Sequence, residues 1–223
     1  MQILAISDEI IGALYSADVR EVIGPVDVLF SCGDLPYSYL EYLVTILKTR
    51  HAFFVHGNHD SEEIQHSGRT LHAPGGWCNA DRSAIAIEDP ETLIVAGLEG
   101  SIRYRPDGCH QYTETEMFGR ALQLIPKFLY NRLRYGRYVD VLIAHSPPAG
   151  IHDGPDGPHR GFRVFRPLMR WFRPRLFLHG HKHHYGPDPW HTRYHATDVV
   201  NVHPFRAIQL TADEIVYGRV YRR

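Results

Sequence analysis

The sequence predicts an α/β fold in which two mixed β-sheets pack face to face and helices cover their outer surfaces, a four-layer αββα sandwich. Two observations lead to this expectation. Short runs rich in Val, Ile, Leu and Phe alternate with helical segments in both halves of the chain, and each run ends abruptly in a polar or glycine-containing turn. In the middle and near the C-terminus, further strands are joined directly by tight polar turns.

Individual elements follow from these patterns. Strands are predicted over residues 2–6, 26–30, 52–55, 83–87, 92–96, 139–144, 175–178, 199–203 and 207–210. Helices are predicted over 39–49, 61–65, 114–134 and 162–172. Thr113 is a suitable N-cap for the third helix and Gly136 a suitable stop. Residues 147–160 are rich in Gly and Pro and are predicted to form a long functional loop.

Length and composition indicate an ordinary globular protein. The chain has 223 residues, of which 22% are charged and 43% hydrophobic, and one domain over residues 1–223 is expected. The net charge of −1 argues against a nonspecific nucleic-acid binder. Three widely spaced cysteines suit a reducing compartment. Because no secretory leader is visible and every apolar run is shorter than a membrane span, a cytoplasmic protein without a membrane partner is expected.

Polar residues with metal-binding side chains follow five of the predicted strands directly. They are Asp8, Asp34, Asn58 with His59, His145, and His181 with His183. Ligands bind at the carboxyl edge of open α/β sheets, so these side chains are expected to converge there. A mixture of carboxylate, amide and imidazole ligands suits a divalent metal such as Mn, Fe or Zn better than a structural zinc site.

The order and spacing of these residues are similar to those of the calcineurin-like metallophosphoesterases. That family has the pattern D-x-H, G-D-x-x-D, G-N-H-[DE], a lone His, and G-H-x-H. The corresponding segments here are Ser7-Asp8-Glu9-Ile10, Gly33-Asp34-Leu35-Pro36-Tyr37, Gly57-Asn58-His59-Asp60, Ala144-His145-Ser146 and Gly180-His181-Lys182-His183. The first two segments also resemble those of a bacterial subgroup of predicted phosphoesterases.

The resemblance implies a centre with two divalent transition metals, manganese being favoured over iron or zinc. Asp8, Asp34 and His183 would hold the first metal. Asp34 would bridge to the second metal, whose other ligands would be Asn58, His145 and His181. A hydroxide shared by the metals would attack phosphorus, and His59 would protonate the leaving group as a general acid.

Two positions depart from the family pattern. Ile10 stands where the family usually places a histidine on the first metal, so this site is expected to bind its metal more weakly. Tyr37 stands where the protein phosphatases carry a carboxylate that orients the catalytic histidine, so His59 needs another partner.

Four further residues are candidates for substrate binding. Arg103 and Tyr112 lie in a basic and aromatic segment, and His152 and His159 lie in the long loop after His145. For the segment that holds Arg103 and Tyr112, a solvated loop is an equal alternative. The loop histidines either orient metal ligands or belong to a polar turn.

The favoured function is a metal-dependent phosphoesterase that hydrolyses phosphodiester or phosphomonoester bonds of a small molecule or nucleotide. Ile10 motivates one alternative, a catalytically weak metal-binding regulatory module of the same fold. A nuclease or RNA-processing phosphodiesterase is a third hypothesis, and a nucleic-acid partner is therefore a less favoured alternative to a small phosphorylated substrate.

Overall fold

A computed structural model describes residues 1–64, 68, 70–186 and 188–218 of the chain. The helices are α1 (Val19–Ile23), α2 (Tyr37–Leu47), α3 (Glu114–Leu122), α4 (Ile125–Tyr135) and α5 (Phe165–Phe172). The strands are β1 (Gln2–Ile6), β2 (Val28–Ser31), β3 (His51–Phe54), β4 (Glu63–Ile64), β5 (Thr70–Leu71), β6 (Cys78–Asn79), β7 (Ala84–Ile87), β8 (Leu93–Leu98), β9 (Ser101–Ile102), β10 (Gln111–Tyr112), β11 (Val141–Ala144), β12 (Leu176–His179), β13 (His191–Tyr194), β14 (Thr197–Asn201), β15 (Phe205–Leu210) and β16 (Ile215–Gly218).

Most of these strands form two six-stranded mixed sheets. The first sheet has the order β16-β15-β1-β2-β3-β6, and the second has the order β13-β14-β12-β11-β8-β7. In the first sheet β1, β2, β3 and β6 are parallel, and β15 and β16 are antiparallel to their neighbours. In the second sheet β8, β11, β12 and β14 are parallel, with β7 and β13 antiparallel at the edges.

The alternation of side chains along the strands builds the layers. On β1, Ile3 and Ala5 join the core between the two sheets, whereas Leu4 and Ile6 face the opposite way and pack in the cluster that contains the buried side of α2. On β11, Ile143 lies between the sheets and Leu142 packs with residues of α3, α4 and α5. Helices therefore cover the outer face of each sheet, and the predicted four-layer α/β sandwich is confirmed.

Two helix predictions are wrong in part. The predicted helix over 61–65 does not form in its described part, where Glu63–Ile64 is strand β4. The Glu63 side chain contacts α2 instead, because its carboxylate accepts a hydrogen bond from the Tyr37 backbone N–H. Position 65 lies outside the described residues. The segment 114–134 forms two helices rather than one. Pro126, which has no N–H to donate, lies in the first turn of α4, where a helix tolerates it.

The predicted ends of the 114–134 segment are confirmed. The Thr113 hydroxyl accepts a hydrogen bond from the Glu116 N–H, and the Glu116 side chain accepts one from the Thr113 N–H, which forms a capping box. Gly136 ends α4 with φ 76°, a left-handed conformation that glycine adopts without steric cost. Residues 147–160 contain no regular helix or strand, as predicted for the long loop.

Candidate metal centre

The carboxyl ends of β1, β2, β3, β11 and β12 meet at one edge of the sandwich, and the polar residues that follow them converge there. Ligand atoms of Asp34, His145 and His181 all lie within 4.8 Å of one another. The Asn58 Oδ1 atom is 3.0 Å from His145 Nε2. These four predicted ligands therefore form one compact group, although their positions span more than half of the chain.

Three of the predicted ligands have an unusual backbone conformation. Asp8, Asp34 and His181 have φ values of 66°, 57° and 66°, in the left-handed region that residues with a Cβ seldom occupy. Such conformations concentrate at functional sites, where the surrounding structure holds them in place. Each one lies just after its strand, and the turn places the Asp34 and His181 side chains in the group and the Asp8 side chain at its border.

Glycine at position 57 is required for the close approach of these loops. A Cβ atom at Gly57 would overlap the Asp34 carboxylate and would lie 2.7 Å from Cε1 of the His145 ring. Any side chain here would displace both ligands, so the Gly-Asn-His-Asp motif needs its glycine for packing as well as for the turn.

The two histidines of the group have their outer ring nitrogens fixed by backbone carbonyls. Nδ1 of His145 donates to the Cys32 carbonyl oxygen at 2.7 Å, and Nε2 of His181 donates to the Pro158 carbonyl oxygen at 2.7 Å. In each neutral ring the other nitrogen then carries a lone pair, and a bond to a backbone carbonyl is the common means of orienting a metal-binding histidine.

When both rings are neutral, the inner atoms of the group are all acceptors. His145 Nε2 lies 3.0 Å from His181 Nδ1 and 3.4 Å from Asp34 Oδ2, in addition to its contact with Asn58 Oδ1. Lone pairs that face each other at these distances repel unless a proton or a cation lies between them. The donor set of carboxylate, amide oxygen and two imidazoles fits a divalent transition metal.

The protonation of these groups reflects the same crowding. Burial opposes the charged form of His145, but the Asp34 and Asp8 carboxylates outweigh it and raise the pKa of His145 to about 9. Burial and the nearby His145 lower the pKa of His181 to about 3. Although burial acts in the opposite sense, His145 holds the pKa of Asp34 below its usual range. The negative charge at this edge thus favours a positive charge beside Asp34, either a proton on His145 or a cation in place of that proton.

Asp60 fixes the loops that carry Asp34 and Asn58. Its carboxylate accepts hydrogen bonds from the backbone N–H groups of Asp34, Leu35 and Gly57, at 2.9, 3.1 and 2.7 Å. One side chain therefore ties the loop after β2 to the loop after β3. The carboxylate at the fourth position of the Gly-Asn-His-Asp motif therefore has a structural role that does not require it to be a metal ligand.

The two remaining predicted metal ligands lie at the border of the compact group. The Asp8 carboxylate accepts one bifurcated hydrogen bond from the His181 backbone N–H, with N···O distances of 3.1 and 3.0 Å to its two oxygens. The exposed His183 ring stacks on His203 with centroids 4.4 Å apart, and its Nδ1 is 3.1 Å from the Tyr185 hydroxyl. Among the described residues, the close-packed ligand group does not include His183.

His59 lies next to the group but on its solvent side. Its backbone N–H donates to Asp34 Oδ1 at 2.8 Å, and its side chain is exposed. The ring borders a cavity of about 590 Å³, whose other walls come from Asn58, Asp60, Tyr104 and Arg105. The cavity therefore lies next to the ligand group.

Tyr37 does not contact His59. Its hydroxyl lies 3.0 Å from Nε2 of His56, whose Nδ1 lies 2.9 Å from Glu99 Oε2. The departure from the family pattern at position 37 therefore belongs to a separate network. Glu99, the centre of this network, also accepts hydrogen bonds from the Tyr112 hydroxyl at 2.6 Å and from Arg120 Nη2 at 2.8 Å.

The four candidate substrate-binding residues have the following positions. Arg103 donates to the Gln111 carbonyl oxygen and the Glu116 carboxylate, and Tyr112 donates to Glu99, so both are engaged within the protein. His159 lies beside the ligand group, with its ring centroid 5.3 Å from that of His181.

The other loop histidine, His152, forms a hydrogen bond with His179, the last residue of β12. Its Nδ1 donates to Nε2 of His179 at 3.0 Å, and its Nε2 accepts from the Thr192 hydroxyl at 2.8 Å. Burial lowers the pKa of His152 to about 4, consistent with a neutral ring in this series of hydrogen bonds. Substrate contact by these four residues stays a prediction.

One residue of the site was not among the candidates from sequence. The Tyr104 ring centroid lies 5.6 Å from the Arg105 guanidinium carbon, and the Tyr104 hydroxyl accepts a hydrogen bond from Asn58 Nδ2 at 3.1 Å. This bond fixes which end of the Asn58 amide faces His145. Tyr104 belongs to a loop segment that sequence alone marked only as basic and aromatic, and no local signal links it to Asn58.

Replacing Tyr104 with phenylalanine is expected to lower kcat/KM for phosphodiester hydrolysis about tenfold and to weaken metal binding, because the Asn58 amide is then free to rotate. The measurement is steady-state kinetics across a Mn²⁺ titration. Tyr135→Phe, which removes a hydroxyl on α4 far along the chain from the site, is the matched control. Equal kinetics and equal metal dependence for both variants would contradict this role.

A two-sheet α/β sandwich with a carboxylate, amide and imidazole group at the carboxyl edge of its parallel strands is typical of metal-dependent phosphoesterases. Comparison with protein families matches residues 1–185 to the calcineurin-like phosphoesterases. The chain belongs to this family. A comparison with curated proteins gives no match.

Comparison with solved structures supports the fold. The structure of TT1561 of Thermus thermophilus is 17% identical, with 99% of each chain covered and a TM-score of 0.63. GAP50, the anchor in the inner membrane complex of Plasmodium, is 12% identical, with 97% of this chain and 83% of that chain covered and a TM-score of 0.58. At these identities the similarity concerns the fold alone.

Proposed function

We propose that the protein hydrolyses phosphodiester or phosphomonoester bonds of a small phosphorylated molecule or nucleotide, acting as one domain in the cytoplasm. Family membership supports a metal-dependent phosphoesterase in general. The observation that carries the proposal is the cluster of four acceptor atoms from Asp34, Asn58, His145 and His181, which a divalent cation would satisfy. Manganese is the favoured metal, with iron or zinc as alternatives.

In this proposal Asp34, Asn58, His145 and His181 would hold one metal, and Asp8, Asp34 and His183 would hold the other. Divalent cations bound here would stabilise negative charge on phosphoryl oxygens and lower the pKa of coordinated water. The protein's own contribution is to hold the ligands in place. The backbone carbonyls of Cys32 and Pro158 fix the two rings of the compact group.

His59 is proposed to act on the leaving group. Its side chain borders the cavity beside Asn58 and is open to solvent, so a substrate can reach it. A protonated ring at this position would donate its proton to the oxygen that leaves phosphorus, and an uncharged alcohol would depart. The backbone bond from His59 to Asp34 keeps this residue in register with the metal ligands.

The His59 proposal is tested by varying the leaving group. With His59→Ala, hydrolysis of a diaryl phosphate that releases unsubstituted phenol is expected to fall about a hundredfold. Release of p-nitrophenol should fall much less, because that anion needs less help from an acid. His72→Ala, which removes another exposed histidine, should change neither rate. An equal loss with both leaving groups would exclude general-acid catalysis by His59.

A metal-binding regulatory module remains the second candidate, and one observation favours it. Ile10 provides no ligand, and His183 lies outside the compact group, so the compact group alone offers one complete metal site. One metal per chain without hydrolysis of any phosphoester would support this alternative. Hydrolysis that is lost with His59→Ala, while metal content and fold are kept, would exclude it.

A further inference from the structure

Large apolar side chains are exposed mainly on one part of the surface. Among the described residues, six of the ten exposed large apolar side chains lie on α3, α4 and α5: Phe118, Leu122, Leu129, Tyr130, Leu133 and Trp171. Leu133 is 89% exposed and Trp171 is 65% exposed. Single exposed apolar residues are normal, but a concentration of them indicates an interaction site.

Beyond the first turn of α3, which carries Glu114 and Glu116, the same region is strongly basic. Residues 117–137 contain five Arg or Lys and residues 157–175 contain six, and neither segment contains Asp or Glu, although the whole chain has a net charge of −1. In the described part of the chain, the ion pairs of these segments involve Arg120 and Arg137. The exposed arginines without a carboxylate partner there include Arg132, Arg134, Arg170 and Arg173.

Apolar and basic groups meet at the C-terminal ends of α4 and α5. The C-terminal end of α5 packs against α4 and the residues after it, because the Phe172 ring lies 4.8 Å from that of Phe128 in the first turn of α4 and 5.3 Å from that of Tyr138. Trp171 borders two depressions, of about 500 and 740 Å³. The first is also lined by Arg132, Arg173 and Arg175, and the second by Arg170, Arg173 and His195. The exposed indole therefore has guanidinium groups on both sides.

We call this region the α4–α5 surface and define it by Leu129, Leu133, Arg132, Arg170, Trp171 and Arg173. The C-terminal ends of α4 and α5 lead into the amino ends of β11 and β12, whereas the metal centre lies at the carboxyl ends of the same strands. A partner on the α4–α5 surface would therefore leave the cavity beside His59 open.

We propose that the α4–α5 surface docks the protein on the surface of a bilayer that contains anionic phospholipids. The leucines and the indole suit the boundary between headgroups and acyl chains, and the arginines suit lipid phosphates. Attachment through these side chains would be peripheral, and it departs from the expectation of no membrane partner. No helix among the described residues is long and apolar enough to cross a membrane.

Other occupants fit this surface less well. A symmetric contact between two copies would bring the unpaired arginines of one surface against those of the other, and like charges repel. Single-stranded nucleic acid would use the arginines and the indole, but it offers nothing to the exposed aliphatic side chains of Leu129 and Leu133. A lipid surface uses both kinds of group at once.

The test is co-sedimentation of the full chain with vesicles of phosphatidylcholine alone or of equal parts phosphatidylcholine and phosphatidylglycerol. Binding to the anionic vesicles that weakens with added salt is expected. Arg170→Glu combined with Arg173→Glu should lower the vesicle partition coefficient at least about tenfold. Leu133→Ser should lower it about fivefold. Hydrolysis of a soluble aryl phosphodiester should be the same in all of these variants.

Matched controls distinguish an effect of the α4–α5 surface on vesicle binding from an effect of net charge or of general hydrophobicity. Arg20→Glu with Arg50→Glu changes the charge equally elsewhere, and Val216→Ser removes an exposed apolar side chain on β16. Both should bind vesicles like the unaltered chain. Circular dichroism establishes that each variant is folded. The proposal would be overturned if the protein bound neutral and anionic vesicles equally, or if the control variants lost as much binding as the α4–α5 variants. It would also be overturned if the protein formed dimers or nucleic-acid complexes and did not bind vesicles.

Discussion

Replacing Asp34 with asparagine is expected to reduce phosphodiester hydrolysis at least about a thousandfold while the fold is kept. The carboxylate is the only anionic member of the four-acceptor group, and one of its oxygens lies 3.4 Å from His145 Nε2. Asparagine still offers an oxygen to the His59 backbone N–H, so the loop geometry should persist. Steady-state kinetics at saturating Mn²⁺ and the urea midpoint of unfolding are the measurements.

Asp89→Asn is the control for this substitution. Asp89 is exposed and pairs with Arg50 on the surface, and its loss should affect neither activity nor stability by a measurable amount. If Asp34→Asn retained activity within threefold of the unaltered chain, roughly the scatter expected for a surface change, the central place of this carboxylate would be contradicted.

Replacing Glu99 with glutamine is expected to lower the free energy of unfolding by about 3 kcal/mol. The buried Glu99 carboxylate has four partners in its network: His56, His110, Tyr112 and Arg120. Arg120 is itself largely buried, with 12% of its side chain exposed, and it would keep only Asp81 as an ionic partner. Urea denaturation measures the loss, and Glu91→Gln at an exposed site is the control.

The effect of Glu99→Gln should depend on pH. Although burial acts in the opposite sense, hydrogen bonds from His110, His56 and Tyr112 hold the pKa of Glu99 below its usual value of 4.5. A carboxyl group with a depressed pKa in the folded state stabilises the protein above its unfolded pKa and loses this contribution as the pH falls through the folded pKa. The difference in stability between the variant and the unaltered chain should therefore narrow below pH 4.5. A difference under about 1 kcal/mol at neutral pH would contradict the network's role.

Much of the fold was predictable because local pattern and global topology agree. Apolar runs that end in polar turns located nine strands within a few residues, and the capping pattern around Thr113 located the start of a helix. Seven strands and helix α1 were missed. Strands β13 and β16 are half-exposed edge strands that mix polar and apolar residues. The other five, β4, β5, β6, β9 and β10, have only two residues each, and α1 has only five, too few for a periodic pattern. Pro126 could have shown that 114–134 is two helices, since proline favours a first turn over a helix interior.

For the candidate site, the sequence predicted which metal-binding residues come together but not the contacts between distant loops. The order of motifs gave the compact group, because each member follows a parallel strand and such strands end at the same edge. Contacts between distant loops were not predictable. Tyr104 meets Asn58 from 46 positions away, and His56 meets Glu99 from 43. Neither pairing leaves a periodic or spacing signal, since both depend on how loops fold back over the sheet edge.

Metal content per chain is the most direct test of the central claim, that the edge formed by Asp34, Asn58, His145 and His181 is a metal centre. The protein purified without chelator is analysed for Mn, Fe and Zn, and hydrolysis of a bis-aryl phosphate is measured before and after chelation and Mn²⁺ addition. We predict at least one transition metal per chain, activity lost with chelator and restored by Mn²⁺, and loss of both metal and activity in His145→Ala. A protein without metal that gains no activity from any added divalent cation would contradict the account.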